Sequence, residues 1–211
     1  MPTRLVLLLS LLLLGACTTD PKTLFDSQVR TSTTPLATSL AEAVRLAPVA
    51  PLQIDPGRAP QYQIGQDQPR LLLHDLPSNY RVFRITLEAQ QLYNLQIVSD
   101  CISCSGNAKY GLKPAVFLLD ADGTLVDEHP SQALTGSRGV SLRMSGLAPH
   151  SGDYYLLVAA DNRALGYEIV LEHRGINQPM LVTPNSVGRR RPSPMRSYPI
   201  GEIRVFASTR R

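Results

Sequence analysis

Between residues 69 and 207 apolar side chains recur at every second position, in short runs separated by turn residues, which is the period of half-buried β-strands. Residues 70–74 make a short run bounded by Pro77. Residues 80–87 place Phe83, Ile85 and Leu87 on one face and Arg84 and Thr86 on the other. Residues 92–99 repeat the pattern, with Tyr93, Leu95 and Ile97 opposite Asn94 and Gln96. Residues 115–119 are apolar on both faces and predict a central strand. Asp120-Ala121-Asp122-Gly123 turns that strand back into 124–127. Val140, Leu142 and Met144 share one face of 139–145, and 153–160 form a second fully apolar run. Residues 166–172 set Tyr167, Ile169 and Leu171 together, and a last strand over 201–207 carries Ile203 and Val205 against Arg204 and Phe206. Eight or nine short strands with hardly any helix predict a mainly β fold, an antiparallel β-sandwich. Periodicity alone does not separate a sandwich from a barrel.

The first third of the chain reads differently. Ser39-Leu40-Ala41-Glu42 is a capping-box pattern and opens one short N-terminal helix of about two turns, which Pro48 and Pro51 end. From 47 to 69 the chain holds five prolines and no sustained pattern, and reads as an extended lead-in. Residues 17–38 are rich in Thr, Ser, Asp and Lys and read as a flexible tether. Ahead of them, Arg4 precedes an aliphatic run over residues 5–14, which as a helix spans roughly 15 Å. That is half of a bilayer core, the length of an export signal and not of a membrane span. The run ends in Leu14-Gly15-Ala16-Cys17, which resembles the lipobox of bacterial lipoproteins. By that resemblance residues 1–16 are removed and Cys17 carries a diacylglyceryl thioether and an N-terminal acyl chain such as palmitate. Several acyl chains hold a protein on a bilayer far longer than one does. Thr18, which is not Asp, then favours delivery to the outer membrane, facing the periplasm.

An exported chain matures in an oxidising compartment, and this changes the reading of the other two cysteines. Cys101 and Cys104 are expected to form a disulfide. Its four-residue ring would contribute only about 2 kcal/mol, enough to staple a loop. A redox couple or half of a metal site are the active alternatives. Ser105-Gly106-Asn107 follows as a turn where a redox motif wants a helix N-terminus, and no second Cys-x-x-Cys is present for zinc. The net charge of +4 is also unevenly placed. From Arg189 to the end, seven arginines against Glu202 give +6, so residues 17–188 sum to −3. The basic character is a C-terminal property. Tyr198 and Phe206 are the aromatic residues within the basic run, and they do not interleave with the arginines in the manner of a nucleic-acid site, so nucleic acid is not expected as a partner. Anionic headgroups or envelope saccharides are the surfaces it would attract, but a solvated, loosely ordered tail is the preferred reading of this segment.

Two family resemblances follow from the strand order. Gly146-Leu147-Ala148-Pro149-His150-Ser151-Gly152-Asp153-Tyr154-Tyr155-Leu156-Leu157-Val158, then Gly166-Tyr167-Glu168-Ile169, resembles the last strands of the small jelly-roll sandwich appended to many secreted peptidases. A longer match is to the maltose operon periplasmic protein (MalM) family. It rests on the short helix near Leu40, the Pro-rich lead-in and the Val82-Phe83 strand. Ser99 and Pro114-Ala115-Val116-Phe117-Leu118-Leu119-Asp120-Ala121-Asp122-Gly123 continue it. A Pro- and Arg-rich crossover over 184–200 and Gly201-Glu202-Ile203-Arg204-Val205 close it. The resemblance spans 39–208 and leaves 209–211 as a tail. It implies a jelly-roll-like sandwich and a periplasmic protein linked to carbohydrate uptake, with no catalytic or ligand residues to carry over. The lipobox and the Cys101/Cys104 loop depart from the family.

Candidate chemistry is sparse. His74, His129, His150 and His173 lie at strand ends or turns, none at metal-ligand spacing from another, and read as surface histidines. Gly136-Ser137-Arg138-Gly139 lacks the fifth position of a nucleophile elbow. Asp120-x-Asp122-Gly123 has the opening of a calcium loop, but no acidic ligand closes it, and a hairpin turn is the preferred reading. Asp127 and Glu128 with Asp120 and Asp122 would at most form a weak calcium patch. With no Trp in the chain, Tyr80, Tyr93, Tyr110 and Tyr167 are the candidate sugar platforms, although such tyrosines more often pack. The sequence therefore predicts a non-catalytic, outer-membrane-anchored accessory lipoprotein of the MalM type. It would need no cofactor and no metal. Its partners would be the membrane, through Cys17, and an envelope protein or a glycan such as a maltodextrin. The alternative is an envelope scaffold that contacts cell wall or lipid through its basic C-terminal segment.

Overall fold

The computed structural model describes residues 19–54, 57, 59–104, 109–136, 138–170 and 194–207. The predicted export signal, Cys17, His173, Leu171 and most of the arginine-rich crossover lie outside the described residues.

Among the described residues two seven-stranded sheets face each other, so the fold is a sandwich and not a barrel. The first sheet runs β1 (Leu36–Ala37), β4 (Arg70–Leu73), β5 (Leu76–Leu87), β12 (Gly152–Ala160), β8 (Pro114–Leu119), β9 (Leu125–Asp127), and β2 (Val49–Pro51) also pairs with β5. The second runs β10 (Gln132–Gly136), β11 (Gly139–Leu147), β6 (Leu92–Ser103), β14 (Gly201–Ala207), β3 (Gln61–Ile64). In that sheet β7 (Lys109–Leu112) joins β6 to β13 (Met195–Tyr198). Most ladders are antiparallel, as expected. Among the described strands β1–β4, β2–β5 and β13–β7 pair in parallel.

The alternating positions fill the space between the sheets. Phe83, Ile85, Leu87, Val116, Leu118, Leu156 and Val158 from the first sheet meet Tyr93, Leu95, Ile97, Val140, Leu142, Met144, Ile203 and Val205 from the second. The strands that are apolar on both faces have a second task. Tyr80, Val82, Leu119, Leu157 and Ala159 point away from that core and form an outer cluster with Ala37 and Ala43. The lid on this cluster is the predicted helix, Leu40–Leu46 (α2 here), so the first sheet is covered on both sides. Ser39 Oγ accepts from the Glu42 N–H at 3.2 Å, while the Glu42 carboxylate reaches back to the Thr38 N–H at 2.7 Å and its hydroxyl at 2.9 Å. The Tyr80 hydroxyl donates to the Ala43 carbonyl at 2.8 Å and pins the helix to the sheet.

Four expectations are corrected. The described part of the tether, from Thr19 on, is folded: α1 (Pro21–Leu24) runs into a wider π-helical stretch, Phe25–Arg30, so a second helical segment precedes the predicted one. Asp20 caps it through the Lys22 and Thr23 N–H groups, Pro21 stands at its start, and Leu24, Phe25 and Val29 are buried. Phe25 and Val29 pack on Leu165 with Leu76 and Ile200. The lead-in supplies β2 and β3, edge strands too short to show a period. The strand predicted over 166–172 is not a strand in its described part. Gly166 turns with φ +79°, Tyr167 is exposed and Ile169 is buried, so the two do not share a face as predicted. Only single bridges tie Leu165 to Ser197 and Glu168 to Arg196. The described end of the crossover, in turn, is not irregular, because Met195–Tyr198 is β13.

Candidate functional site

Pairing of β8 with β12 sets Pro114 opposite Ala160, and so brings Lys113 beside Asp161. The Asp161 N–H donates to the Lys113 carbonyl at 2.8 Å, closing the two strand ends together. The chain then makes a single 3-10 turn, Asn162–Ala164, with Asp161 as its cap through the Arg163 N–H at 3.2 Å. Two cations converge on the Asp161 carboxylate. Lys113 Nζ lies 3.0 Å from Oδ2, and Arg163 donates from Nε to Oδ1 at 2.9 Å and from Nη2 to Oδ2 at 2.8 Å. The aspartate side chain is only 5% exposed. Burial pushes its carboxyl up, but the Arg163 and Lys113 contacts outweigh burial and hold it far below the ordinary carboxylate range.

These three residues form one wall of a cleft of about 260 Å³, with Phe117, His74 and His129 among its other linings. His74 and Asp75 form the two-residue turn between β4 and β5, with φ +49° and +65°. That left-handed pair is the conformation Asn-Gly usually supplies, and with side chains present each residue costs about 1 kcal/mol. Glu128 and His129 enter from the β9–β10 connection, 3.5 Å apart and largely exposed. The carboxylate is saturated by its partners and held ionised, so it fixes the positions of the Lys113 and Arg163 donors and does not act as a proton carrier. The arrangement is suited to non-covalent recognition of a hydroxyl-rich or anionic ligand.

The remaining sequence candidates are dispersed. Cys101 and Cys104 are bonded to each other at the end of β6, where a bulge interrupts the ladder to β7. Asp120 turns inward, its Oδ1 accepting from the Asp122 N–H at 3.0 Å and the Thr124 N–H at 2.8 Å, while Gly123 takes φ +82°. Asp127 similarly accepts from the His129 N–H at 3.1 Å. These carboxylates support turns. Among the described residues no three His, Cys, Asp or Glu side chains are placed to hold a metal ion. His150 stacks against Tyr154, ring centroids 5.5 Å apart. Tyr80 and Tyr93 are core residues, Tyr110 packs on Tyr198, and Tyr167 is exposed. The C-terminal arginines among the described residues, Arg196 and Arg204, are in strands, and Arg204 is bonded at both ends of its fork to Asp100, at 2.9 and 3.1 Å. Of the cleft residues, the sequence pattern marks His74 and His129 only as surface histidines and Glu128 only as part of a weak calcium patch, and it does not mark Lys113, Asp161 or Arg163. The only available signal was Asp161-x-Arg163 directly after a fully apolar strand.

No protein-family model matches the chain, and no curated protein matches it. Among solved structures it is similar to the pre-peptidase C-terminal domain of a collagenase from Bacillus anthracis, at 8% identity and a TM-score of 0.35. The match covers 77% of this chain and 96% of that one. The assignment of a β-sandwich rests on the strand pairing and two-sided core described above. Among the described residues no helix is long and apolar enough to cross a membrane.

Proposed function

We propose that this chain is a non-catalytic lipoprotein of the outer membrane, facing the periplasm, and an accessory of the MalM type in carbohydrate uptake. The observation that carries the anchor is Leu14-Gly15-Ala16-Cys17, small residues closing a ten-residue aliphatic run directly ahead of a folded segment. Fractionation tests it. Cys17→Ser should move the chain from the membrane to the soluble periplasmic fraction, and unchanged membrane retention would overturn the anchor.

The carbohydrate part of the reading is supported by the cleft. Lys113 and Arg163 are oriented by a shared carboxylate, and His74, His129 and the half-buried Phe117 ring stand around them. Fixed donors beside an apolar ring suit the hydroxyls and the apolar face of a sugar. Calorimetry of the purified chain with maltodextrins should give heat that Asp161→Asn removes. An absence of heat with the unmutated protein would sink the carbohydrate reading and leave the anchor intact.

A further inference from the structure

The geometry points to a second membrane contact: the surface around Thr19, with Tyr167 and Lys22 at its centre, rests on the headgroups of the bilayer that holds Cys17. This deepens the proposed anchor and rests on it.

The folded body begins almost at the anchor. The Thr19 carbonyl accepts from the Tyr198 hydroxyl at 3.2 Å, and Tyr198 belongs to β13 in the second sheet. Asp20 starts the first helix, and Pro21 lies against the turn at Gly166, 3.8 Å from where a β-carbon there would stand. Leu24, Phe25 and Val29 then go into the protein. From Cys17 to Thr19 there are two peptide units. Whatever path they follow, the two α-carbons lie within about 7 Å of each other. A headgroup layer is itself roughly 5–7 Å deep, the difference between the apolar core and the full bilayer shared over two leaflets. An acylated Cys17 at the base of that layer therefore holds Thr19 at or inside its outer edge. The body has no slack with which to stand away.

The side chains next to Thr19 fit that position. Tyr167 is 65% exposed, an amphipathic ring of the kind enriched at membrane interfaces. The Lys22 ammonium lies 5.5 Å from the centre of that ring. It is a cation on an apolar stem, suited to lipid phosphate. Val170, three residues on from Tyr167, is exposed as well. Two of the nearby negative charges are occupied: Asp20 Oδ2 accepts from the Lys22 and Thr23 N–H groups, and Asp26 pairs with Arg30 at 2.8 Å. The third, Glu168, is exposed beside Tyr167 and stands across a single bridge from Arg196. The candidate cleft belongs to the same end of the sandwich. Lys113 follows Leu112, the strand partner of Tyr198, and Leu165, just beyond the Asp161 turn, packs on Phe25. A seated body would thus present its cleft close to the bilayer surface.

The test uses the full acylated chain in vesicles of phosphatidylethanolamine and phosphatidylglycerol with spin labels at headgroup depth. A fluorophore is placed in turn on Tyr167→Cys, on Lys22→Cys and on Leu147→Cys. Leu147 is 54% exposed and pairs with Leu92, roughly 30 Å along β6 from Cys101 and the β13 side at a strand rise of about 3.3 Å. Quenching severalfold stronger at positions 167 and 22 than at 147 is the expected result. Equal quenching at all three, with acylation of Cys17 verified by mass in the same sample, overturns the seat and leaves the anchor standing. A bare Cys17 sulfur overturns the anchor, and the seat falls with it.

Discussion

Arg70 and Asp161 are both charged side chains withdrawn from water, and the chain stabilises them by opposite means. Arg70, 8% exposed, is held by neutral dipoles. Its guanidinium donates to the carbonyls of Val29, Arg30 and Thr34, at 3.2, 3.5 and 2.7 Å, at the end of the first helical segment. The Val29 and Arg30 carbonyls carry the partial negative charge of a helix C-terminus, and the Thr34 carbonyl comes from the chain just beyond it. Asp161 is held by ions, one from the neighbouring strand end and one only two residues along the chain. Dipoles can serve a buried cation only when the segment that carries them is folded against it. Arg70 therefore ties residues 20–35 to the sheet, and with them the proposed membrane seat. Ions can serve a buried anion from their own side chains, so Asp161 instead organises the wall of a cleft. One buried charge fastens a segment and the other builds a surface.

The largest expected effect is on the fastened segment. Arg70→Met removes three charge-assisted bonds and leaves the Val29 carbonyl, whose bond is buried, unmatched, a loss of about 3 kcal/mol in urea denaturation. Hydrogen exchange should show protection lost at Leu24 to Val29 and kept in Leu40–Leu46. A loss below about 1 kcal/mol would mean that the segment docks by Phe25 and Val29 alone. Asp161→Asn should cost less at neutral pH, about 2 kcal/mol, because Lys113 and Arg163 can turn to water. Acid separates the two sites. The Asp161 carboxyl is held below its unfolded value by Arg163 and Lys113 against the penalty of burial. Its contribution is fully present above about pH 5 and drains away as pH falls below the unfolded value toward the lower folded one. The deficit of Asp161→Asn should therefore shrink on going from about pH 7 to about pH 3. The Arg70→Met deficit, which involves carbonyls that do not titrate, should not follow it. Parallel pH profiles for the two variants would erase the distinction.

The same pair of sites shows what the sequence could and could not reveal. Long two-faced strands such as Gly152–Ala160 and Leu92–Ser103 were legible because half or all of each strand is buried at a fixed period. The helix Leu40–Leu46 was legible from its cap. The first helical segment was not. Its apolar residues, Leu24, Phe25 and Val29, fill little more than one turn amid Thr, Ser, Asp and Lys. Arg70, the side chain that holds its C-terminal end, is forty residues further along the chain. Short strands such as Lys109–Leu112 and Met195–Tyr198 take their conformation from neighbours and carry no period of their own. The cleft was half legible. His74 and His129 stood out as residues, but only the register of Ala160 against Pro114 brings Lys113 to Asp161.

A neutral hydrogen bond of the same kind gives the smallest effect and sets the scale for the others. The Tyr80 hydroxyl donates to the Ala43 carbonyl at 2.8 Å, holding the second helix to the sheet as Arg70 holds the first. Burial, aided by the nearby Glu42 charge, pushes its phenol up to about 12, so it remains a donor throughout the range in which the fold is studied. Tyr80→Phe keeps the buried ring and deletes only the donor. The expected loss is about 1 kcal/mol, with exchange quickened in Leu40–Leu46 and unchanged over residues 20–35. The difference between this value and that of Arg70→Met measures what the charge adds to a helix clamp. If the two variants lose the same stability, the positive charge adds nothing. The first segment would then be held, like the second, by geometry and apolar contact.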